Sequence, residues 1–542
     1  MLPRLKLPLP PAALALLAAV FLLPGLAGHD PWKSQDVLTL GIAHGMATGG
    51  DLLVPRVAGL RWLIDPPLYH WVAALLGTLL QWVLEFHAGA RLASGVFVAA
   101  ALYFAHLAGR GWSDAGRAPL AGAAAALLLL GSLGLMVHSH EALPELASLA
   151  ALSGALACLP HAARRPLQAG AGLGLALGLA FLGAGWIAPV SLAAAIAAGL
   201  LACREWRNRR VAAFLATALV VAAAIAAAWL LALALRSPEA YREWWLLASQ
   251  RQGELLDNLR RLVGTTGWFA WPAWPLALWS LWSLRRRWAE PRLLVPAAAA
   301  LALLALQSWW GPSQQENLLP MLAPLALLAA QGVFTLRRGA MGALDWFGVL
   351  TFGVFAGLVW LGYAAILTGF PPRIEFNLMR LAPGFEPRFS PLAFAAAIAL
   401  ALIWLYLVFY AVPSPVRSVT RWAAGVVLLW GTFALLLMPW TDYQKSYRGV
   451  AQQLSKQIAA GECVAQKSLG VSQAAALDYH AGIRARPFDA RNPAACPLVL
   501  VQGSPRNEQD APASSAAARW TKVADVSRPA DKIERFRLYR LR

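Results

Sequence analysis

Charged residues are scarce in this chain: Asp, Glu, Lys and Arg together make up 13% of its 542 residues. A soluble protein usually carries about 25%, so most of the chain cannot be a soluble enzyme or a disordered scaffold. Cysteine is also scarce, with 4 residues in the full length, which excludes a disulfide-rich secreted domain. Hydrophobic residues reach 59% and are concentrated in long runs. Runs of this kind are typical of membrane-spanning helices.

Acidic residues are the scarcer of the two charge types, with 27 Asp and Glu against 46 Lys and Arg and a formal net charge of +19. An excess of this size is compatible with nucleic-acid binding. Much of the basic charge, however, lies in short loops between the apolar runs, which is typical of membrane orientation. We therefore expect no nucleic-acid partner.

The apolar runs predict a polytopic α-helical membrane protein with about thirteen transmembrane helices, its amino terminus inside and its carboxyl terminus outside. The predicted spans lie near residues 11–28, 90–109, 117–136, 142–160, 167–186, 188–203, 211–236, 267–284, 293–311, 317–336, 343–368, 390–412 and 422–440. A further apolar stretch, Leu68–Leu84, is ambiguous. If it does not cross, every short basic cluster falls on the inner side, as the positive-inside rule requires. We therefore predict that it lies in the interface or re-enters.

The composition divides the chain into two parts: residues 1–440, a transmembrane module with an outer loop at 29–89, and residues 441–542, a small α/β domain outside the membrane. The tail predicts one helix and four strands, at Ser446–Ala459, Cys463–Gln466, Leu498–Gln502, Lys522–Val526 and Arg535–Arg540. Cys463 and Cys496 lie at or just before strand starts, and in an oxidising compartment we expect them to form a disulfide. The tail has no Cys/His metal spacing and no Gly-rich phosphate loop. The sequence therefore predicts no cofactor, and a divalent metal stays open.

The span interiors are almost free of ionisable residues, His106 being the main exception. This disfavours a transporter, whose pathway usually needs such residues. Polar residues gather instead in the outer loops, above all in the first. That loop contains the segments His29-Asp30-Pro31-Trp32-Lys33-Ser34-Gln35-Asp36, Gly49-Gly50-Asp51 and Ile64-Asp65-Pro66-Pro67-Leu68-Tyr69-His70-Trp71. A hydrophobic body with its polar groups on one face indicates an enzyme that acts on a lipid-linked substrate at the membrane surface.

The order of these segments resembles the first periplasmic loop of the GT-C membrane glycosyltransferases, in particular the bacterial protein mannosyltransferase-like and lipid A aminoarabinose transferase-like branch. The resemblance covers nearly the whole chain. It continues in the helix-opening segment 138–145, in 318–325 and in Lys445-Ser446-Tyr447-Arg448. The individual motifs are short, and their order carries the resemblance.

The resemblance implies an inverting transfer of a sugar from a polyprenyl-phosphate carrier to an acceptor hydroxyl of an envelope glycan or lipid A. It implies a multi-pass protein of the bacterial inner membrane with a periplasmic C-terminal domain. In this chemistry a carboxylate removes the acceptor proton, and cations hold the carrier phosphate. Asp36 is the predicted catalytic base. The predicted substrate-binding residues are Lys33, Gln35, Arg56, Arg61, Asp65, His140, Glu141 and Glu145.

The sequence departs from the family pattern at several of these positions. An alignment without gaps puts Gln35 at the family's base position, and a slip of one residue assigns that role to Asp36. Asp65 stands where the aminoarabinose branch has Lys, Gln315 where Arg is usual, and Glu145 where Asp is usual. The departures leave a second hypothesis open, a catalytically degenerate relative that binds a lipid carrier as an accessory protein.

Each candidate also has a structural interpretation. Asp36 fits a helix N-cap, Asp65 fits a turn former, and Arg56 and Arg61 fit contacts with lipid headgroups. His140 fits a solvated loop histidine.

Overall fold

The computed structural model describes residues 10–32, 35–312, 314–492, 494–504, 520–529 and 531–542. Helices make up most of this part of the chain. The first half contains α1 (Pro11–Leu22), α2 (Gln35–Ala47), α3 (Leu68–Leu80), α4 (Phe86–Gly111), α5 (Ala118–Leu130), α6 (Leu133–His138), α7 (Pro144–Cys158), α8 (Pro166–Ala184), α9 (Ile187–Ala202), α10 (Arg209–Arg236) and α11 (Pro238–Ser249). The second half contains α12 (Leu255–Phe269), α13 (Ala273–Ser283), α14 (Pro291–Trp310), α15 (Leu322–Val333), α16 (Arg338–Thr368), α17 (Pro372–Leu381), α18 (Pro391–Tyr410), α19 (Arg417–Leu436), α20 (Met438–Lys445), α21 (Arg448–Ser455) and α22 (Val471–Ala481).

Eight helical segments in the described part of the chain are long and apolar enough to cross a membrane. They are α4, α8, α10, α14, Gln315–Val333, α16, α18 and α19. Four shorter apolar helices, α1, α3, α5 and α9, accompany them. The expected polytopic helical architecture is confirmed, and the crossing number of thirteen stays a prediction.

The predicted span 267–284 is not one helix. Helix α12 ends at Phe269 and α13 begins at Ala273, with Pro272 between them. Proline has no backbone N–H and disfavours a helical residue before it, which explains the break. The amide of Leu133 donates to the carbonyl of Trp271 at 3.1 Å. The break thus provides an acceptor for the start of α6.

The C-terminal region contains one mixed sheet with the strand order β4-β3-β5-β7-β6. Numbered after a short hairpin of the first loop, β1 (Arg56–Val57) and β2 (Leu60–Arg61), its strands are β3 (Val464–Lys467), β4 (Arg486–Pro487), β5 (Leu498–Gly503), β6 (Trp520–Val526) and β7 (Arg535–Leu541). The four predicted strands and the predicted helix are present, the helix only as α21. Helix α22 and strand β4 were not predicted. Strands β3 and β5 pair in parallel, with Val464 opposite Leu498. Both cysteines therefore lie just before the amino ends of these two neighbouring strands. A Cys463–Cys496 disulfide joins them, with a Cα–Cα distance of 5.0 Å.

The sheet region packs against the first outer loop. Helix α2 contacts α22, and the two share one hydrophobic cluster with α21 and the sheet. Its buried members include Val37, Leu40, Leu454, Leu477 and Phe536. Helix α2 therefore lies between the membrane helices and the C-terminal sheet.

Candidate active site

Asp36 is an internal anchor of the first outer loop. Its side chain is 1% exposed and forms an ion pair with Arg91 of α4, itself fully buried, at 3.0 Å between Oδ2 and Nη2. Oδ1 accepts the Arg91 Nε–H at 3.2 Å and the backbone N–H of Ala142 at 2.7 Å. Burial acts to raise the pKa of Asp36, but the Arg91 guanidinium outweighs it and the pKa lies below its ordinary value. Asp36 thus joins α2 to α4 and to the start of α7.

Asp30 is a second anchor, between the first loop and the C-terminal region. Arg448 donates from Nε to both Asp30 oxygens at 3.0 Å, and from Nη2 to Glu85 at 2.7 Å. Ser446 Oγ donates to Asp30 Oδ2 at 2.6 Å. Burial acts to raise the pKa of Asp30, and the bonds from Arg448 and Ser446 overcome it and lower the pKa to about 2.

Metal-type ligands converge at one place in the described part of the chain, where Asp30, Glu85 and His87 offer atoms within 4.8 Å of one another. Arg448 already contacts both of these carboxylates. The positive charge in this cluster is therefore supplied by a guanidinium of the chain itself.

Four of the predicted substrate-binding residues have other surroundings: His140, Glu141, Arg56 and Arg61. His140 is 2% exposed, bonds the Phe21 carbonyl through Nε2 at 2.8 Å, and stacks on Trp430. It is therefore not the solvated residue that its loop position suggested. Glu141 Oε2 pairs with His138 Nδ1 at 2.7 Å.

The side chains of the two arginines of the β1–β2 hairpin, Arg56 and Arg61, contact different groups. Arg61 forms ion pairs with Glu239 at 3.1 Å and Glu243 at 3.5 Å, which tie the first loop to α11. Arg56 lines a separate cavity of about 240 Å³, together with Asp478 of α22. The predicted residue Lys33 lies outside the described residues.

A cavity of about 250 Å³ lies between the first outer loop, the starts of α7 and α9, helix α11 and the end of α14. Three predicted residues, Gln35, Asp65 and Glu145, line it together. The other polar and aromatic lining residues are Trp62, Trp186, Trp244, Trp310, Gln250, Gln252, Gln307, Gln314 and Asn317. Among the described lining residues there is no Lys, Arg or His. The wall is thus built from amides, indole rings and two carboxyl groups.

Asp65 is held in place by two neutral donors. Gln35 Nε2 and Trp62 Nε1 each donate to its Oδ2 at 3.1 Å. Burial raises the pKa of Asp65 above its ordinary value, and the negative charge of Glu316 adds to this effect against the two hydrogen bonds. A carboxylate with a raised pKa is a better proton acceptor near neutral pH.

Glu145 stands in the first turn of α7 and is 6% exposed. Its Oε2 atom is buried and has no hydrogen-bond partner. In the described part of the chain, Glu145 forms no ion pair. A polar atom that lines a cavity and lacks a partner is available to form a hydrogen bond with a ligand.

An arginine-bearing groove adjoins the cavity. Arg260 and Arg261 of α12 line it, together with Trp268 and residues 314–316. Gln314 lines both the groove and the cavity. The groove therefore supplies the positive charge that the cavity lacks.

Sequence reasoning missed most of the cavity wall. Tryptophans near span ends are usually interface anchors, so their positions in the sequence do not indicate a cavity. The lining residues of the cavity come from segments as far apart in the sequence as Gln35 and Asn317. The one available signal was the excess of amides in the short outer segments at 250–252 and 314–317.

A helical membrane body, a sheet region over its first loop and a cavity of amides, tryptophans and carboxyls together have the architecture of a GT-C membrane glycosyltransferase. No family model matches the chain. Undecaprenyl phosphate-alpha-4-amino-4-deoxy-L-arabinose arabinosyl transferase of Pseudomonas aeruginosa strain LESB58 is 30% identical over 448 residues, which cover 77% of this chain and 73% of that protein. The transferase of the same name from Pectobacterium atrosepticum is 28% identical over 382 residues, which cover 65% and 64%. The chain belongs to this family of arabinosyl transferases.

Solved structures agree on the fold. ArnT from Cupriavidus metallidurans bound to undecaprenyl phosphate superposes with a TM-score of 0.69 at 18% identity, over 97% of each chain. Its apo state gives a TM-score of 0.66. The predicted class, a glycosyltransferase with a lipid-phosphate-linked sugar donor, is confirmed, and the accessory and transporter alternatives receive no support.

Proposed function

We propose that this protein transfers a sugar of the 4-amino-4-deoxy-L-arabinose type from a polyprenyl phosphate, such as undecaprenyl phosphate, to a hydroxyl group of lipid A or another envelope glycan. The observation that carries the proposal is the cavity of amides, tryptophans and carboxyl groups beside an arginine-bearing groove, in a chain of this family.

The sugar occupies the cavity. A volume of about 250 Å³ suits one sugar ring rather than an oligosaccharide. Indole rings offer flat apolar surfaces, and amides both donate and accept hydrogen bonds, as a ring with several hydroxyl groups requires. These groups bind and orient the ring.

The carrier phosphate binds in the groove at Arg260 and Arg261. A phosphate inside the cavity would meet Asp65 and Glu145, with no cation among the described lining residues to compensate. Guanidinium groups hold phosphate oxygens through short, charge-assisted hydrogen bonds. Gln314, which lines both spaces, marks the boundary at which the sugar–phosphate bond lies.

Asp65 is the proton acceptor in this proposal. The acceptor oxygen attacks the anomeric carbon, the bond from that carbon to the phosphate oxygen breaks, and the phosphate leaves with the electron pair. Asp65 takes the proton of the acceptor hydroxyl, while the two arginines stabilise the charge that develops on the phosphate. Asp36, the base predicted from sequence, has both oxygens engaged by Arg91 and Ala142. We assign it a positioning role.

The protein is proposed to lie in a bacterial inner membrane, with residues 1–440 as the transmembrane module and 441–542 as a periplasmic domain. The basic loops support this orientation. Reporter fusions at positions 287 and 542 should report opposite compartments. Both reporters in one compartment would contradict the thirteen-span topology.

The function is tested with the purified full-length protein, undecaprenyl phosphate-linked aminoarabinose and lipid A, with mass spectrometry of the product. We expect the lipid A mass to rise by one aminoarabinose residue. Carrier binding without transfer to any envelope acceptor would favour the accessory role instead.

A further inference from the structure

The unpartnered Oε2 atom of Glu145 is the most unusual feature of the cavity. Its Oε2 has no hydrogen-bond partner although the residue is only 6% exposed. Burial of a charged group without a partner is strongly unfavourable. The neighbouring carboxyl of Asp65 accepts two hydrogen bonds, so the deficit is specific to Glu145. A ligand group that donates hydrogen bonds would remove it.

The charge of the cavity selects the kind of ligand group. Its ionisable lining residues, among those described, are Asp65 and Glu145, and Glu316 lies close enough to influence both. A negative field of this kind attracts cations. The group that meets Glu145 therefore carries positive charge.

A divalent metal fits this position poorly. In the described part of the chain, the group of carboxylates and histidines close enough to share one ion is Asp30, Glu85 and His87, outside this cavity. Hard cations need about six oxygen ligands. An ammonium group has three N–H donors and needs only a few acceptors, which Glu145 and the amide carbonyl of Gln307 or Gln252 can supply.

We propose that Glu145 binds the protonated amino group of the donor sugar and makes the enzyme prefer amino sugars over their hydroxyl analogues. This inference rests on the proposed function, because it assigns a role in the same cavity. Glu145 is thereby a specificity-determining residue, distinct from the proton acceptor Asp65.

The test compares two undecaprenyl phosphate-linked donors that differ only in an amino or a hydroxyl group at carbon 4 of the pentose. Their dissociation constants are measured on the full-length protein in detergent by isothermal titration calorimetry, so no acceptor is needed. The wild type should bind the amino donor at least about tenfold more tightly, the usual worth of a hydrogen bond to a charged group.

Three variants separate charge from structure. Glu145→Gln keeps the size but removes the charge, and should abolish the preference mainly by weakening the amino donor. Glu145→Asp keeps the charge and should retain part of the preference. Glu386→Gln removes an exposed carboxylate that lines neither the cavity nor the groove, and it should leave the preference within about twofold, because an exposed charge contributes little.

The outcomes distinguish the inference from the function on which it rests. Equal binding of both donors by the wild type, or an unchanged preference in folded Glu145→Gln, overturns the inference while the function stands. Binding of neither donor by the wild type overturns the proposed function itself. The inference is supported when the preference is lost in Glu145→Gln and kept in Glu145→Asp.

Discussion

Asp36 and Glu145 are both buried carboxyl groups at the same corner of the molecule, where the first outer loop meets the start of α7. Asp36 accepts bonds from Arg91 and from the amide of Ala142, three residues before Glu145. Glu145 has an oxygen with no partner and lines a cavity. A carboxylate whose bonds are all made within the chain stabilises the scaffold, whereas one with free capacity is available to a substrate.

The largest effect on activity is expected at Asp65, the cavity carboxyl assigned to proton transfer. Asp65→Asn should lower the transfer rate by about 10²–10⁴, the usual cost of losing a positioned base, with little change in thermal stability. Kinetics with the native donor and acceptor measure the effect. Glu386→Gln, an exposed carboxylate outside the cavity and the groove, is the control and should stay within about twofold. Full activity in Asp65→Asn would return the base role to another carboxylate.

Asp36→Asn should act on stability instead. The substitution leaves the Arg91 charge buried without its counter-ion, which typically costs about 3–5 kcal/mol. Thermal unfolding in detergent measures the loss, and Asp51→Asn, a turn residue that caps Leu53 and Val54, serves for comparison. A stable Asp36→Asn protein without transfer activity would instead show that Asp36 is the catalytic base.

Arg260 and Arg261 are the residues proposed to bind the carrier phosphate. Replacement of both by Ala should weaken binding of undecaprenyl phosphate by about tenfold to a hundredfold, since hydrogen bonds between charged groups are worth about 1.5–3 kcal/mol. Binding of undecaprenyl phosphate to the wild type should also weaken as the salt concentration rises. Arg56→Ala, in the separate cavity, should leave carrier binding unchanged. Equal weakening by the Arg56 variant would contradict the groove assignment.

Asp30 gives the smallest expected effect and a pH dependence. Its pKa is lowered to about 2 by Arg448 and Ser446, so its stabilising contribution is complete above the unfolded value near 4 and is lost as the pH falls toward 2. After allowance for the half-exposed Arg448 side chain, we expect about 1–2 kcal/mol. The free energies of unfolding of the wild type and Arg448→Ala, measured as a function of pH, should differ at pH 6 and converge near pH 2. Curves that stay parallel would show that the pair does not contribute.

The architecture was predictable because it depends on local pattern. Runs of apolar residues predicted most of the helices, and short buried strands such as Leu498–Gln502 were found almost at their predicted bounds. The break at Pro272 was readable from the residue itself, but a run of hydrophobic residues on both sides concealed it.

The site was only partly predictable because partners in space are not neighbours in sequence. Gln35, Asp65 and Glu145 were identified through the family resemblance, and they do share the cavity. The sequence did not show which carboxyl is paired within the chain. Asp36 is paired with Arg91, whereas Glu145 has no such cation beside it in the described part of the chain. Arg91 lies near the start of the long apolar helix α4, and its position in the sequence gives no indication of what it contacts.

The packing of α2 against α22 and the C-terminal sheet has a consequence for biogenesis. Helix α2 is made near the start of the chain, and the segment that covers its buried residues follows about 400 residues later. At roughly 5–20 residues per second of synthesis, the uncovered helix waits about 20–80 s for its partner. During that interval the face of α2 that carries Gly41 and His44, which meets Ala475 and Tyr479 of α22, is uncovered. A nascent chain that stops before residue 441 therefore carries all the lining residues of the cavity and the groove, but its helix α2 lacks the C-terminal partner that covers it.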